Sequence, residues 1–371
     1  MKYLKDFSQI NLLMFTRSMG LGGTENVVLQ LCEILKPYVN KVVVCSCGGV
    51  NTEKLANIGI THYEIPDIEK KSIKTFFKAA RALKRIVKKE RINIIHTHHR
   101  MAAFYVRFLK LYKKRIFIST AHNTFTDKKL LTKYSYKRSN VIACGEMVRQ
   151  NLISYYGLNE DKVVTIHNAV KAFDGNLSDD LTLKSYKDSG YTLVGNIGRL
   201  SEQKGMEYFI RSLPMVKEKV PLIKYFIVGD GDRREYLVEL SNNLGLNDDI
   251  CFLGYRTDIR NIMMQSDFLV LSSLWEGLPL TPIEAFSVKK TIIATAVDGT
   301  VEVVKDGVNG ILIPPKDSGA IAENVIDLCK NPELRERLEK AAFETYQNDF
   351  SFDGYSERVL AFYKELCNPQ V

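Results

Sequence analysis

The chain has 371 residues, 45% of them hydrophobic and 26% charged, which is the make-up of an ordinary soluble globular protein too long for one compact core. No run approaches the ~20 apolar residues of a membrane-spanning helix, and the apolar run in "MKYLKDFSQINLLMFTR" is too short for a secretion signal, so a cytoplasmic protein is expected. Seven cysteines, an odd number scattered along the chain, fit a reducing compartment; Cys45 and Cys47 lack a second pair at zinc-site spacing and are expected as small buried residues.

The net charge of +9 is concentrated. Residues 71–116 carry fifteen Lys or Arg and a single acid, Glu90, while the remainder is slightly acidic. Within that stretch Ile73, Phe76, Phe77, Ala80, Leu83 and Val87 recur at helical spacing and predict one apolar face. The opposite face is either simply solvated or a peripheral patch for anionic lipid headgroups. No recognised nucleic-acid motif accompanies the charge, which leaves nucleic acid the least favoured partner.

In chain order, "INLLMFT" predicts a strand, "GLGGTENVVLQLCEIL" a loop and amphipathic helix, and "NKVVVCSC" a second strand. The basic helix leads into "RINIIHTHH"; "RIFISTAH", "NVIACG" and "KVVTIHNAV" continue the strand series. Strands separated by helices mean βαβ units and a parallel sheet. Apolar periodicity then drops in "KAFDGNLSDDLTLKSYKDSG", whose Asp, Ser, Gly and Asn are linker chemistry. A second alternating series follows, from "YTLVGNIGRL" through "IKYFIVGDG", "DICFLGY", "DFLVLSS" and "TIIATAV" to "NGILIPP". The expected class is α/β, two doubly wound Rossmann-like domains facing each other across a cleft. Residues 1–172 form the first, 173–189 the linker and 190–352 the second, and a closing helix over about 353–371 packs back on the first.

In such sheets, ligand groups come from loops just past strand ends. "GLGG" opens a helix, so Gly22 and Gly23 allow an anion close to the backbone; it is not a Walker loop, for the Gly-Lys-Ser ending is missing. "GRLSEQKG" offers Arg199 and Lys204, a guanidinium fork and a flexible ammonium suited to a diphosphate. "GDGD" brings Gly229 and room for a ring or ribose; its aspartates are expected to serve the turn rather than a metal. In "LWEGLPLTPIEAF", Thr281-Pro282-Ile283-Glu284 fits a capping box with proline at the first helical position. Glu284 is therefore either a cap or an acceptor for a ribose diol. Glu276 has no capping role and is expected to contact a polar ligand. Among the histidines, His96, His98, His99 and His122 could in principle hold zinc, but carboxylate or cysteine partners are not close in sequence. A histidine reaching a sugar or phosphate is preferred, with His122 best placed.

Taken together, "GLGGTE", "STAHNTF", "IHNAV", "GRLSEQKG", "GDG", "FLGY", "SSLWEGLPLTPIEA" and "VNGILIPP", in this order and spacing, resemble the retaining GT-B glycosyltransferases that carry an E-x7-E motif, the "glycosyl transferases group 1" (family 4 type). The resemblance implies transfer of a sugar from a nucleoside-diphosphate sugar, with a lean to UDP, to an acceptor hydroxyl of a glycan or lipid-linked precursor in cell-surface polysaccharide synthesis. It implies no metal and no other cofactor. Arg199 and Lys204 would hold the diphosphate, Glu284 the ribose, and Glu276 the sugar hydroxyls beside Gly277, Leu278 and Pro279. Backbone groups of Leu280 and Thr281 would cap the phosphates, and Gly22 and Gly23 would approach them from the other domain. Gly229, Tyr255 and Arg256 would border the nucleoside, His122 the transferred sugar, and His98 and Arg100 the acceptor side. The chain departs from the family at Ala169, where glycine is common. A glycosidase is the other chemistry two carboxylates suggest, but the nearby cations favour phosphate. An epimerase on the same architecture, or a basic module that docks on membrane or RNA, are the alternatives.

Overall fold

The computed structural model describes residues 7–173, 175 and 178–367. Residues 1–6, parts of the proposed linker and residues 368–371 of the proposed closing helix lie outside it.

The chain divides into two compact units, Met1–Asn168 with Tyr355–Val371, and Ala169–Gly354. In the first, seven strands form one sheet: β1 (Asn11–Phe15), β2 (Lys41–Ser46), β3 (Thr61–Glu64), β4 (Ile94–Thr97), β5 (Ile116–Ala121), β6 (Asn140–Ala143) and β7 (Val163–Thr165). Their order is β3-β2-β1-β4-β5-β6-β7, and every pairing is parallel. Runs such as "NLLMF" and "IIHT" are buried almost end to end, as strands covered on both faces must be. The helix Phe352–Cys367 closes this unit. Its Tyr363 is fully buried and meets His96 Nδ1 on β4 at 2.7 Å.

The second unit repeats the pattern with β8 (Thr192–Ile197), β9 (Ile223–Val228), β10 (Ile250–Gly254), β11 (Phe268–Leu271), β12 (Ile292–Thr295) and β13 (Ile311–Ile313), in the order β10-β9-β8-β11-β12-β13, again parallel. Phe209 stacks on Tyr225 at 4.1 Å in a core completed by Leu213, Phe268 and Leu328. Truncating Phe209 there would cost about 3–5 kcal/mol. Both sheets reverse their strand order beside the first strand, at β1/β4 and at β8/β11. Those are the switch points, where loops diverge and a ligand can enter past the carboxyl ends.

Three expectations need correcting. Residues 169–172 belong to the second unit, where Val170 bonds Phe350 and the Tyr346 hydroxyl. The proposed linker contains a helix, Leu181–Asp188, capped by Asp180 through the backbone N–H groups of Thr182 and Leu183. It was hidden because only Leu183 is buried, which leaves no apolar stripe to read. In the basic helix Ile73–Lys89, Ala79, Ala80, Leu83, Ile86 and Val87 are buried, whereas Ile73 and Phe77 are 79% and 63% exposed. At about 100° per residue Phe77 stands roughly 120° from Leu83, past the edge of the covered arc.

Candidate functional site

The six-stranded sheet holds the densest constellation, at its switch point. β8 ends at Ile197, and its loop makes a short turn at Glu202–Lys204 before Gly205 opens the helix Met206–Lys217. Gly205 has a left-handed φ of 53°, and a Cβ there would lie 2.3 Å from the Ser272 carbonyl oxygen. Only glycine allows that approach. The loops after β8 and β11 are laced together: Ser272 Oγ donates to the Lys204 carbonyl at 3.0 Å, Leu274 N to the Gln203 carbonyl at 2.7 Å, and Gln203 Nε2 to the Trp275 carbonyl at 3.0 Å.

This lacing aims Lys204 at Glu276. Nζ donates to Oε1 at 2.5 Å, and Ser273 Oγ donates to the same oxygen at 2.7 Å. The Glu276 side chain is 7% exposed and that of Lys204 16%. An ion pair so far from water recovers little net stability, because desolvation offsets the attraction. A charged pair at a switch point therefore points to function rather than to fold. Ser273 was not singled out from the sequence; its place just past a strand end was the available signal. Arg199 is exposed on the same loop.

Just beyond, Gly277, Leu278 and Pro279 are buried and lead into the helix Leu280–Ser287. The expected capping box does not form. The helix starts at Leu280 with Pro279 as its cap and no side-chain capping bond, so Thr281 and Pro282 are already inside the first turn. Thr281 Oγ1 instead donates to the Ile197 carbonyl at 3.4 Å, tying the helix start to the end of β8. Glu284 is thus relieved of capping. Burial raises its pKa above the ordinary value, against the lowering pull of Arg260 and Lys204. Arg260 is a second residue the sequence reading missed, since nothing local marks it.

The glycines of "GDG" serve the fold. Gly229 has φ 139°, and a Cβ on it would fall 1.9 Å from the Gly198 carbonyl oxygen; one on Gly231 would fall 2.3 Å from that of Leu200. On the side where a Cβ would stand, both glycines meet the backbone of the β8 loop. Gly299 likewise abuts Gly277, where a Cβ would come within 1.7 Å of its carbonyl oxygen. Tyr255 is half exposed. Arg256 is committed internally: it forks onto Asp258 through two 2.8 Å bonds and reaches Asp180, the cap of the Leu181–Asp188 helix, at 2.8 Å. That fork raises the guanidinium pKa and holds Asp258 down at about 2.

At the switch point of the seven-stranded sheet, Gly22 precedes the helix Gly23–Leu35. On β4 and just past β4 and β5 the histidines form a row: His96 and His98 rings lie 4.3 Å apart, and His98 Nδ1 meets His122 Nε2 at 3.3 Å. His96 spends both nitrogens on Tyr363 and Thr120 Oγ1, each at 2.7 Å. Burial lowers His96 to about 3 and His122 to about 4, so both are neutral at pH 7. His98 Nε2 is buried with no hydrogen-bond partner. Among the described residues no group of three or more His, Cys, Asp or Glu side chains could hold a metal ion. Arg100 pairs with Asp127 at 2.7 Å and donates to Thr132 Oγ1 at 3.1 Å.

Two family profiles match the chain in succession, Glycosyltransferase Family 4 over residues 21–172 and Glycosyl transferases group 1 over residues 179–345. The chain belongs to the group 1, family 4 type glycosyltransferases. This glycosyltransferase is 27% identical over 296 residues to an uncharacterised glycosyltransferase of Methanocaldococcus jannaschii, covering 74% of this chain and 76% of that one. It is 27% identical over 325 residues to the UDP-Gal:alpha-D-GlcNAc-diphosphoundecaprenol alpha-1,3-galactosyltransferase of Escherichia coli, covering 80% and 82%. The crystal structure of Anabaena HepE in complex with UDP-glucose superposes with a TM-score of 0.83 at 20% identity, over 96% of this chain and 100% of that one. That likeness establishes the GT-B fold, two parallel-sheet Rossmann-like domains.

Proposed function

We propose that this glycosyltransferase moves a sugar from a UDP-sugar to an acceptor hydroxyl on a lipid-linked or other glycan precursor, with retention and without a metal. The observation that carries the reading is the Lys204–Glu276 pair, sequestered at the β8/β11 switch point beside the start of the helix Leu280–Ser287. Without a ligand the two charges neutralise each other. A diphosphate arriving there takes over Lys204, joined by Arg199 and by the free N–H groups of the helix start, whose dipole favours an anion. Glu276 is then released to accept hydrogen bonds from sugar hydroxyls, and Glu284 from the ribose diol. Gly277, Leu278 and Pro279 wall this region.

The reaction needs a departing UDP stabilised and a sugar cation tolerated. Cations fixed in place beforehand do both, with no reorganisation at the moment of transfer. The acceptor hydroxyl attacks the face the phosphate leaves, the C1–O bond to phosphate breaks, and a leaving-group oxygen takes the acceptor's proton. On the seven-stranded unit, taken by itself, Gly22 and Gly23 are proposed for backbone contact with an anion, neutral His122 as a hydrogen-bond partner of a sugar, and His98 and Arg100 as acceptor-side groups. Arg256 acts through the fold and Tyr255 by contact with the base. The Escherichia coli relative, named for a UDP donor and a diphosphoundecaprenol-linked acceptor, supports the choice of substrates, and HepE was crystallised with UDP-glucose. The matching profiles and relatives are glycosyltransferases, and the epimerase reading is dropped.

The test is UDP release from candidate UDP-sugars, with and without chelator, beside UDP titration calorimetry. Lys204→Ala and Glu276→Ala should each abolish most of the release. Wild-type release by both variants would overturn the assignment.

A further inference from the structure

The basic stretch 71–116 takes no part in the chemistry above except through the residues near 98–100. Its only acid, Glu90, is buried and engaged, accepting from Lys41 Nζ at 2.9 Å and from the Tyr63 hydroxyl at 2.6 Å. In the helix Ile73–Lys89, Lys89 shares Glu90 at 3.9 Å, whereas Lys74, Lys78, Arg81 and Arg85 pair with no carboxylate among the described residues. Lys74, Lys78, Arg81 and Arg85 line a groove of about 420 Å³ along it, with Phe77 at its edge.

Beside this groove the surface is apolar. Ile73 and Phe77, one helical turn apart, are 79% and 63% exposed, and Phe108 on the neighbouring helix Arg100–Phe108 is 48% exposed. They belong to one patch, because Phe76 meets the ring of Phe77 at 5.5 Å and that of Phe108 at 5.2 Å. Large apolar side chains grouped in the open, rimmed by cations, mark a docking surface. A nucleic acid would use the cations and leave Ile73, Phe77 and Phe108 in water. An anionic bilayer uses both: headgroups meet the ammonium and guanidinium groups, while the apolar tips enter the acyl boundary.

We infer that Ile73, Phe77 and Phe108, with Lys74, Lys78, Arg81 and Arg85, form a surface that docks the seven-stranded unit on anionic phospholipid bilayers. The surface would hold the enzyme where a lipid-linked acceptor resides, but docking does not depend on the sugar-transfer reading.

The full chain, without nucleotide sugar, is sedimented with vesicles of phosphatidylcholine alone or mixed equally with phosphatidylglycerol. It should pellet with the mixed vesicles at low ionic strength, less at physiological salt, and not with phosphatidylcholine. The pair Lys78→Gln and Arg81→Gln should weaken binding roughly thirty-fold at low salt. The triple variant Ile73→Ser, Phe77→Ser and Phe108→Ser should weaken it at every salt concentration. Both should melt as the wild type does and release UDP normally with a water-soluble acceptor. No pelleting with mixed vesicles at low salt overturns the inference. So does binding that the triple variant leaves unchanged, or an RNA oligomer that displaces the vesicles.

Discussion

The two sheets share one strand order, yet their switch points are furnished differently. In the six-stranded unit the loops after β8 and β11 hold a sequestered charge pair, Lys204 and Glu276, and a helix start. In the seven-stranded unit the corresponding loops hold a glycine turn and a row of histidines kept neutral by burial. One edge presents a paired cation and anion, the other imidazoles that are neutral at pH 7. The same topology thus carries two different sets of polar groups, set by a handful of loop residues.

The contrast breaks most directly at the charged edge. Lys204→Ala should lower kcat/KM for UDP release by about 10²–10³-fold, as loss of one preorganised charge does, while His122→Gln, which keeps a neutral hydrogen-bonding group, should lose far less. Equal losses would erase the distinction. Gly299→Ala should come next. Its methyl would strike the Gly277 carbonyl and push the loop that carries Glu276, lowering stability by about 2–3 kcal/mol and weakening UDP binding together, as thermal melting and calorimetry would show. Arg256→Ala should cost about 1–2 kcal/mol, discounted for its partial exposure, by freeing Asp180 and Asp258. Because Asp258 sits at about 2 in the fold, below the ordinary aspartate range, its share of stability is present above that range and lost as pH falls through 2; the variant should shed this acid-side dependence.

Smaller effects sharpen the comparison through pH. Glu284 titrates above the ordinary glutamate range, so UDP affinity should begin to fall while the pH is still above that range, and Glu284→Gln should flatten the acid limb. On the neutral edge, His122 at about 4 predicts no inflection near 6.5 in the rate profile. An inflection there that His122→Gln removes would show the row to be charged.

Most strands were legible because runs such as "KVVVCS" and "IKYFIV" are apolar enough to be buried on both faces. Strand β3, "THYE", escaped because it is a short edge strand with no buried residue, Thr61 and Glu64 being exposed and His62 and Tyr63 half-buried. The helix Leu181–Asp188 escaped for want of an apolar stripe. At the site, loop positions past strand ends pointed to Lys204 and Glu276, but not to their pairing, which joins residues far apart in the chain. The capping box failed because a matching tetrapeptide does not fix where a helix begins; the contact of Thr281 with β8 and the cap at Pro279 do. The "GDG" glycines have a role in the fold that local spacing did not show. What they make room for is the Gly198 and Leu200 backbone, a neighbour supplied by topology and invisible in local spacing.

The order in which the chain leaves the ribosome gives the closing helix a further meaning. The seven-stranded unit starts first but lacks Tyr363, the partner of His96 at its centre, until residue 363 emerges. The six-stranded unit, contiguous from Ala169 to Gly354, can complete itself earlier. Nascent chains arrested before residue 355 should therefore expose an open groove over β4, a stage at which chaperones would find the first half and not the second.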